Sequence, residues 1–135
     1  MKKLNTVLLI DDDETTNYLN HRLLSRMEIA SDIRVVTDGE EAIKYLHKAF
    51  TGTPDYPRPD LIFVDIKMSG MDGFEFLEEY QKVAEREREG TVMLMLTSSA
   101  SFYDLEKLKQ FPDVRRHYSK PLTESDVREI IQTYF

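Results

Sequence analysis

Four short apolar runs punctuate the chain: Val7 to Ile10, Ile33 to Val36, Leu61 to Val64 and Val92 to Leu96. All but the second, which Arg34 interrupts, are continuous. A strand with one wet face alternates apolar and polar residues. A continuous run of four or five belongs to a strand covered on both faces, as in a parallel sheet. Between the runs lie segments with helical spacing. Tyr18, Leu19, Leu23 and Met27 form one stripe; Ala42, Ile43 and Leu46 a second; Phe74, Leu77, Tyr80, Val83 and Ala84 a third. Leu105 and Leu108 mark a shorter fourth, and Val127, Ile130, Ile131 and Tyr134 a last helix. Each stripe is read as core packing. Strand followed by helix, repeated, implies right-handed crossovers and a parallel sheet with helices on both faces. A fifth strand is needed before the last helix. Val114 to Ser119 supplies it, and Arg115, Arg116 and His117 suit an edge strand with one wet side.

Helix starts carry their own signals. Asp72 with Glu75 and Thr123 with Asp126 read as capping boxes, and Ser101 as an N-cap. Thr51 to Pro59 holds three prolines and reads as a surface loop, while Glu85 to Glu89 reads as the solvated end of the third helix. The 135 residues leave no repeat, linker or second domain.

The net charge of -7 argues against direct nucleic-acid binding, which needs a basic face. The absence of cysteine removes disulfides, thiolate metal sites and Cys nucleophiles, and suits a cytoplasmic protein. After Met1-Lys2-Lys3 the apolar run stops at Ile10, too short for a signal peptide, and no segment has the length of a membrane span.

In open parallel α/β sheets, ligands bind beyond the carboxyl ends of the strands. Those ends carry Asp11, Asp12 and Asp13 on the first strand, Thr37 and Asp38 on the second and Asp65 on the third. Thr97 and Ser98 end the fourth, and Ser119, Lys120 and Pro121 the fifth. Clustered carboxylates suit a hard divalent cation, and a lysine with a hydroxyl suits phosphoryl oxygens. Each residue alone has an ordinary role as turn former or surface charge; their convergence on one sheet edge points to a phosphoryl site. Asp11-Asp12-Asp13-Glu14-Thr15 fits two such proteins. As Asp-x-Asp-x-Thr it fits a haloacid-dehalogenase-type phosphatase with Asp11 as nucleophile and Asp13 as general acid. As a strand-closing acidic pair, Asp11-Asp12, it fits a metal-binding receiver.

The segment Asp65-Ile66-Lys67-Met68-Ser69-Gly70-Met71-Asp72-Gly73 resembles the phosphoacceptor segment of response-regulator receiver domains of two-component signal transduction. So do Asp11-Asp12, Asp38 to Ala42, Thr97-Ser98 and Lys120-Pro121, so the resemblance spans nearly the whole chain. It implies a flavodoxin-like (βα)5 sandwich with strand order 2-1-3-4-5, a single receiver over 1–135 without an output domain. It implies Asp65 as the residue phosphorylated by a histidine kinase or histidine phosphotransfer protein. Mg²⁺ would be held by Asp11, Asp12, Asp65 and the main-chain carbonyl of Lys67. Lys120 and Thr97 would hold the phosphoryl group, and the Lys120–Pro121 bond is often cis in the family. Ser69 stands where the family has Pro, and His117 where it commonly has an aromatic switch residue. The Pro-rich loop is longer than usual. A receiver without an output domain would act by binding an output protein, by pairing with a second copy, or by passing its phosphoryl group on. The face it would use is that of the fourth helix, fifth strand and last helix, with Phe102, Tyr103 and His117. It is not expected to be an enzyme in the ordinary sense. The alternatives are the phosphatase, which leaves Asp65 to Gly73 unexplained, and a degenerate receiver that only binds, although its site positions are all filled.

Overall fold

The computed structural model describes residues 3–135; Met1 and Lys2, which open the sequence, lie outside the described residues. Five parallel strands, β1 (Leu4–Ile10), β2 (Ala30–Val36), β3 (Leu61–Asp65), β4 (Val92–Thr97) and β5 (Val114–Ser119), form one sheet in the order β2-β1-β3-β4-β5. This is the flavodoxin-like order. Helices α1 (Glu14–Arg26), α2 (Gly39–Phe50), α3 (Gly73–Tyr80), α4 (Glu85–Arg88), α5 (Phe102–Leu108) and α6 (Glu124–Tyr134) flank it. The continuous apolar runs occupy the central strands, and β3 is buried at every position. Its alternate side chains feed two cores. Ile62 and Val64, with Leu8, Ile10, Met93 and Met95, pack under α2 and α3. Leu61 and Phe63, with Val7, Leu9, Leu94 and Leu96, pack under α1 and α6. The edge strand β5 buries only Tyr118.

The predicted caps form. Asp72 and Thr123 make capping boxes, and Ser101 makes one with Asp104. Gly73 is set by a close approach. A Cβ there would overlap the Asp65 carbonyl oxygen and stand 2.8 Å from Ile66 Cα, so α3 can start against the end of β3 only on a glycine.

Two stripes differ from the sequence reading. On α1 the buried residues are Thr16, Asn17, Asn20, Leu23 and Leu24, while Tyr18 and Leu19 are 62% and 41% exposed. The inward face is shifted because polar residues on it bond buried loop backbone. α3 ends at Tyr80, so Val83 and Ala84 lie beyond it. The charge run is a separate single turn, α4, rather than the tail of α3. Arg88 Nε donates to the Val83 carbonyl at 2.9 Å and its guanidinium pairs with Asp113, which draws this turn back onto the body. The Pro-rich loop is docked too. Tyr45 donates to the Pro57 carbonyl at 2.7 Å, Thr91 to that of Pro59 at 2.9 Å, and Arg58 bonds the Glu87 carbonyl. Pro59 is buried, and the rest of the loop is exposed or half-buried. Among the described residues, no helix is long and apolar enough to cross a membrane.

Candidate functional site

The strand ends meet as the topology requires. β1 and β3 are neighbours at the centre, so Asp11 and Asp12 fall beside Asp65. One oxygen from each of these three carboxylates lies within 4.8 Å of the others. Asp11 and Asp65 are each 2% exposed, whereas Asp12 lies at the surface. The Lys67 amide donates to Asp65 Oδ1 at 3.3 Å, and the Ser69 amide to Asp12 Oδ2 at 2.9 Å. The loop after β3 is thus folded over the acidic cluster, with Gly70 in the left-handed region at φ 71°. Ser69 keeps a backbone N–H that Pro could not offer, and that N–H is the one bonded to Asp12.

Lys120 enters from the end of β5. Its Nζ stands 3.1 Å from Asp11 Oδ2 and 3.3 Å from Asp65 Oδ2, while its amide donates to the Thr97 carbonyl at 3.0 Å. The Lys120–Pro121 bond is cis. Thr97 is buried at the end of β4, its Oγ1 accepting from the Ser99 amide at 3.1 Å. His117 lies outside this cluster, on the exposed face of β5 beside Leu105 and Leu108.

Electrostatics sort the acids. Burial, then the neighbouring Asp11 charge, pushes the Asp65 carboxyl up to about 6, against the pull of Lys120. Burial works against the Lys120 ammonium, but Asp11 and Asp65 outweigh it and its pKa is raised. Asp13 goes the other way. The Thr16 hydroxyl bonds its carboxylate and holds it below the usual range. Its carboxylate is engaged by Thr16 of α1 and lies outside the Asp11, Asp12 and Asp65 cluster. It stands instead at the N-cap of α1.

Three carboxylates face one ammonium, an excess of negative charge in a largely buried site. Such a donor set of hard oxygens fits a divalent cation of the Mg²⁺ class. Asp11, Asp12, Asp65, Thr97 and Lys120 are therefore brought to one place, and His117 is not. The sequence reading missed Asn17 and Asn20. Asn17 Nδ2 donates to the Asp11 carbonyl at 2.8 Å, and Asn20 Oδ1 accepts from the Leu122 amide at 3.0 Å. The signal was available: counting back one turn from Leu24 reaches Asn20, and a second turn reaches Asn17, both on the inward face.

An acidic cluster with one lysine, at the carboxyl edge of a doubly wound parallel sheet, places the chain among α/β proteins that carry their site at the strand ends. A family model, the response regulator receiver domain, matches residues 7–132, and the chain belongs to that family. Proteins of the family serve two-component signalling, where histidine kinases or phosphotransfer proteins phosphorylate them. A hybrid signal transduction histidine kinase L of Dictyostelium discoideum is 28% identical over 138 residues. That match takes in 98% of this chain but 7% of the kinase, so the chain spans a small part of that relative. A two component response regulator from Cytophaga hutchinsonii superposes with a TM-score of 0.87 at 28% identity, covering 97% of this chain and 96% of that one. The receiver domain of the histidine kinase CKI1 from Arabidopsis thaliana, complexed with Mg²⁺ and BeF₃⁻, superposes with a TM-score of 0.77 at 23% identity. There 95% of this chain and 90% of that one are covered, a likeness of fold.

Proposed function

We propose that the chain is a phosphoacceptor of a two-component pathway, with Asp65 as the residue modified. One observation carries this: Asp65 is buried at the end of β3 with Lys120 Nζ 3.3 Å away and Asp11 and Asp12 beside it. An Asp65 oxygen attacks the phosphorus of a phosphohistidine on a kinase or phosphotransfer protein. The P–N bond breaks as the O–P bond forms, and the imidazole leaves with a proton from solvent. Asp11, Asp12, Asp65 and the Lys67 carbonyl would hold Mg²⁺, which offsets charge on the phosphoryl oxygens when bound. Lys120, already placed between Asp11 and Asp65, turns its ammonium to the new oxygens. The Thr97 hydroxyl donates to one of them. Its oxygen meanwhile accepts from the Ser99 amide, so a hydroxyl drawn toward the phosphoryl group reports modification to the chain beyond β4. His117, on the face of β5 and α5, takes the place of the aromatic switch. An output protein then reads that face. The protein assists its own phosphorylation and dephosphorylation and turns over no other substrate.

Intact mass after treatment with acetyl phosphate and Mg²⁺ tests this. The parent gains one phosphoryl mass and Asp65→Asn gains none. Labelling of Asp65→Asn, with loss of labelling in Asp11→Asn, would establish the phosphatase-type nucleophile instead. A parent that never labels, with its site residues intact, would mark a receiver that only binds.

A further inference from the structure

Asn17 and Asn20 occupy core positions of α1, at 6% and 1% exposure, where an apolar side chain would pack at no polar cost. Asn17 spends its amide on the Asp11 carbonyl at 2.8 Å, and its own Oδ1, also buried, has no protein partner among the described residues. Asn20, one turn on and on the same helix face, accepts from the buried Leu122 amide at 3.0 Å. One face of α1 thus grips two strand-end loops. The first carries Asp11; the second runs Lys120-Pro121-Leu122. These loops meet where Lys120 Nζ touches Asp11 Oδ2 at 3.1 Å and Asp65 Oδ2 at 3.3 Å.

The second loop is held at both ends. Its start hangs on β4 through the Lys120 amide and the Thr97 carbonyl at 3.0 Å. Its other end is tied by Asn20, while Leu122 packs in the core beneath α1 and α6. Without the Asn20 oxygen the Leu122 N–H would be a buried donor with nothing to bind, and the loop would shift to satisfy it. Lys120 lies two residues away and would shift with it.

We propose that Asn20 is a positioning residue for the phosphorylation site, acting through Lys120 rather than on the phosphoryl group. The proposal rests on Asp65 being the phosphoacceptor. A buried asparagine that only stabilised the fold would lower the melting temperature and leave the chemistry of the folded protein alone.

The test measures the rate of Asp65 labelling by acetyl phosphate at saturating Mg²⁺, at a temperature where circular dichroism shows each variant folded. Mg²⁺ affinity is followed separately by thermal shift. Asn20→Leu should label roughly tenfold more slowly, within the scale at which small misplacements near a reacting centre act. Its Mg²⁺ affinity should be unchanged, because the carboxylates are untouched. Asn20→Gln keeps a neutral amide oxygen as acceptor without adding a buried charge and should recover part of the rate. In Lys120→Ala, already slow, adding Asn20→Leu should cost nothing further, since the path from Asn20 runs through the lysine. If Asn20→Leu does not fold, Asn20→Ala carries the same expectations. Labelling at the parental rate, or a full additional loss in the Lys120→Ala background, would overturn the proposal. Failure of the parent itself to label, or labelling that survives Asp65→Asn, would instead overturn the assignment of Asp65.

Discussion

Asp12 and Asp65 are both acids of one cluster, but the chain holds them differently. Asp65 is buried and paired with Lys120; Asp12 is at the surface, its Oδ2 taken by the Ser69 amide. Three like charges within 4.8 Å, with one ammonium among them, cost stability until a cation arrives. Asp12→Asn removes one of those charges and keeps an acceptor for Ser69. It should raise the stability of the metal-free protein by about 1 kcal/mol, the Coulomb scale for surface charges at this distance. The same variant should lose most of the thermal shift that Mg²⁺ gives the parent, since stabilisation by a ligand follows its affinity for the folded state. Melting curves in EDTA and in Mg²⁺ measure both. A parental Mg²⁺ shift in Asp12→Asn would remove Asp12 from the ligand set. These acids were legible in the sequence because strand ends in a parallel sheet share one edge, so listing them located the cluster. For Asn17 and Asn20 the sequence offered only their place on the inward face of α1; the backbone groups they bond, the Asp11 carbonyl and the Leu122 amide, carry no local pattern.

At the scale of elements, continuous apolar runs mark the strands and the 3.6-residue period most helices, and the pattern fails where polar residues do structural work. Tyr18 and Leu19 drew the eye as the apolar stripe of α1, yet they face solvent because Asn17 and Asn20 hold the inward face. The run Glu85 to Glu89 looked like a solvated helix end because charge was counted without partners. In α4, Arg88 has a side chain 16% exposed, bonded to the Val83 carbonyl and paired with Asp113, while Arg86, two residues away, is 85% exposed. Arg88→Leu should therefore destabilise the protein by about 1.5–3 kcal/mol, the range for a lost hydrogen bond to a charged group. Arg86→Ala should stay within about 0.5 kcal/mol, as exposed substitutions do. Urea denaturation of the two variants makes the comparison, and equal small effects would return the whole run to solvent.

For the molecule as a whole, the question is which part can respond to a phosphoryl group on Asp65. The helices are not equally anchored. α2, α3 and α6 each bury apolar residues in one of the two cores, whereas α5 buries none. It opens with Phe102 and Tyr103 at 79% and 73% exposure, while half-buried Leu108 packs against one core and Lys107 lies over the Phe74 ring. Elements with few buried contacts are the ones that move at low cost. α5 also follows Thr97 by a short loop, so a hydroxyl drawn toward the phosphoryl group pulls on the start of a weakly held helix. Between α5 and β5 lies a groove of about 310 Å³ lined by Leu105, Leu108, Val114 and His117. The expected outcome is a phosphorylation-dependent change of the face made by α5, β5 and α6, where exposed aromatics offer anchors to a partner or a second copy. Amide NMR spectra with Mg²⁺ and beryllofluoride, compared with Mg²⁺ alone, measure it. Shifts should reach Phe102, Tyr103 and His117 and leave the α2 amides nearly unmoved. Changes confined to the loops carrying Asp12 and Asp65 would show that the site is not coupled to this face.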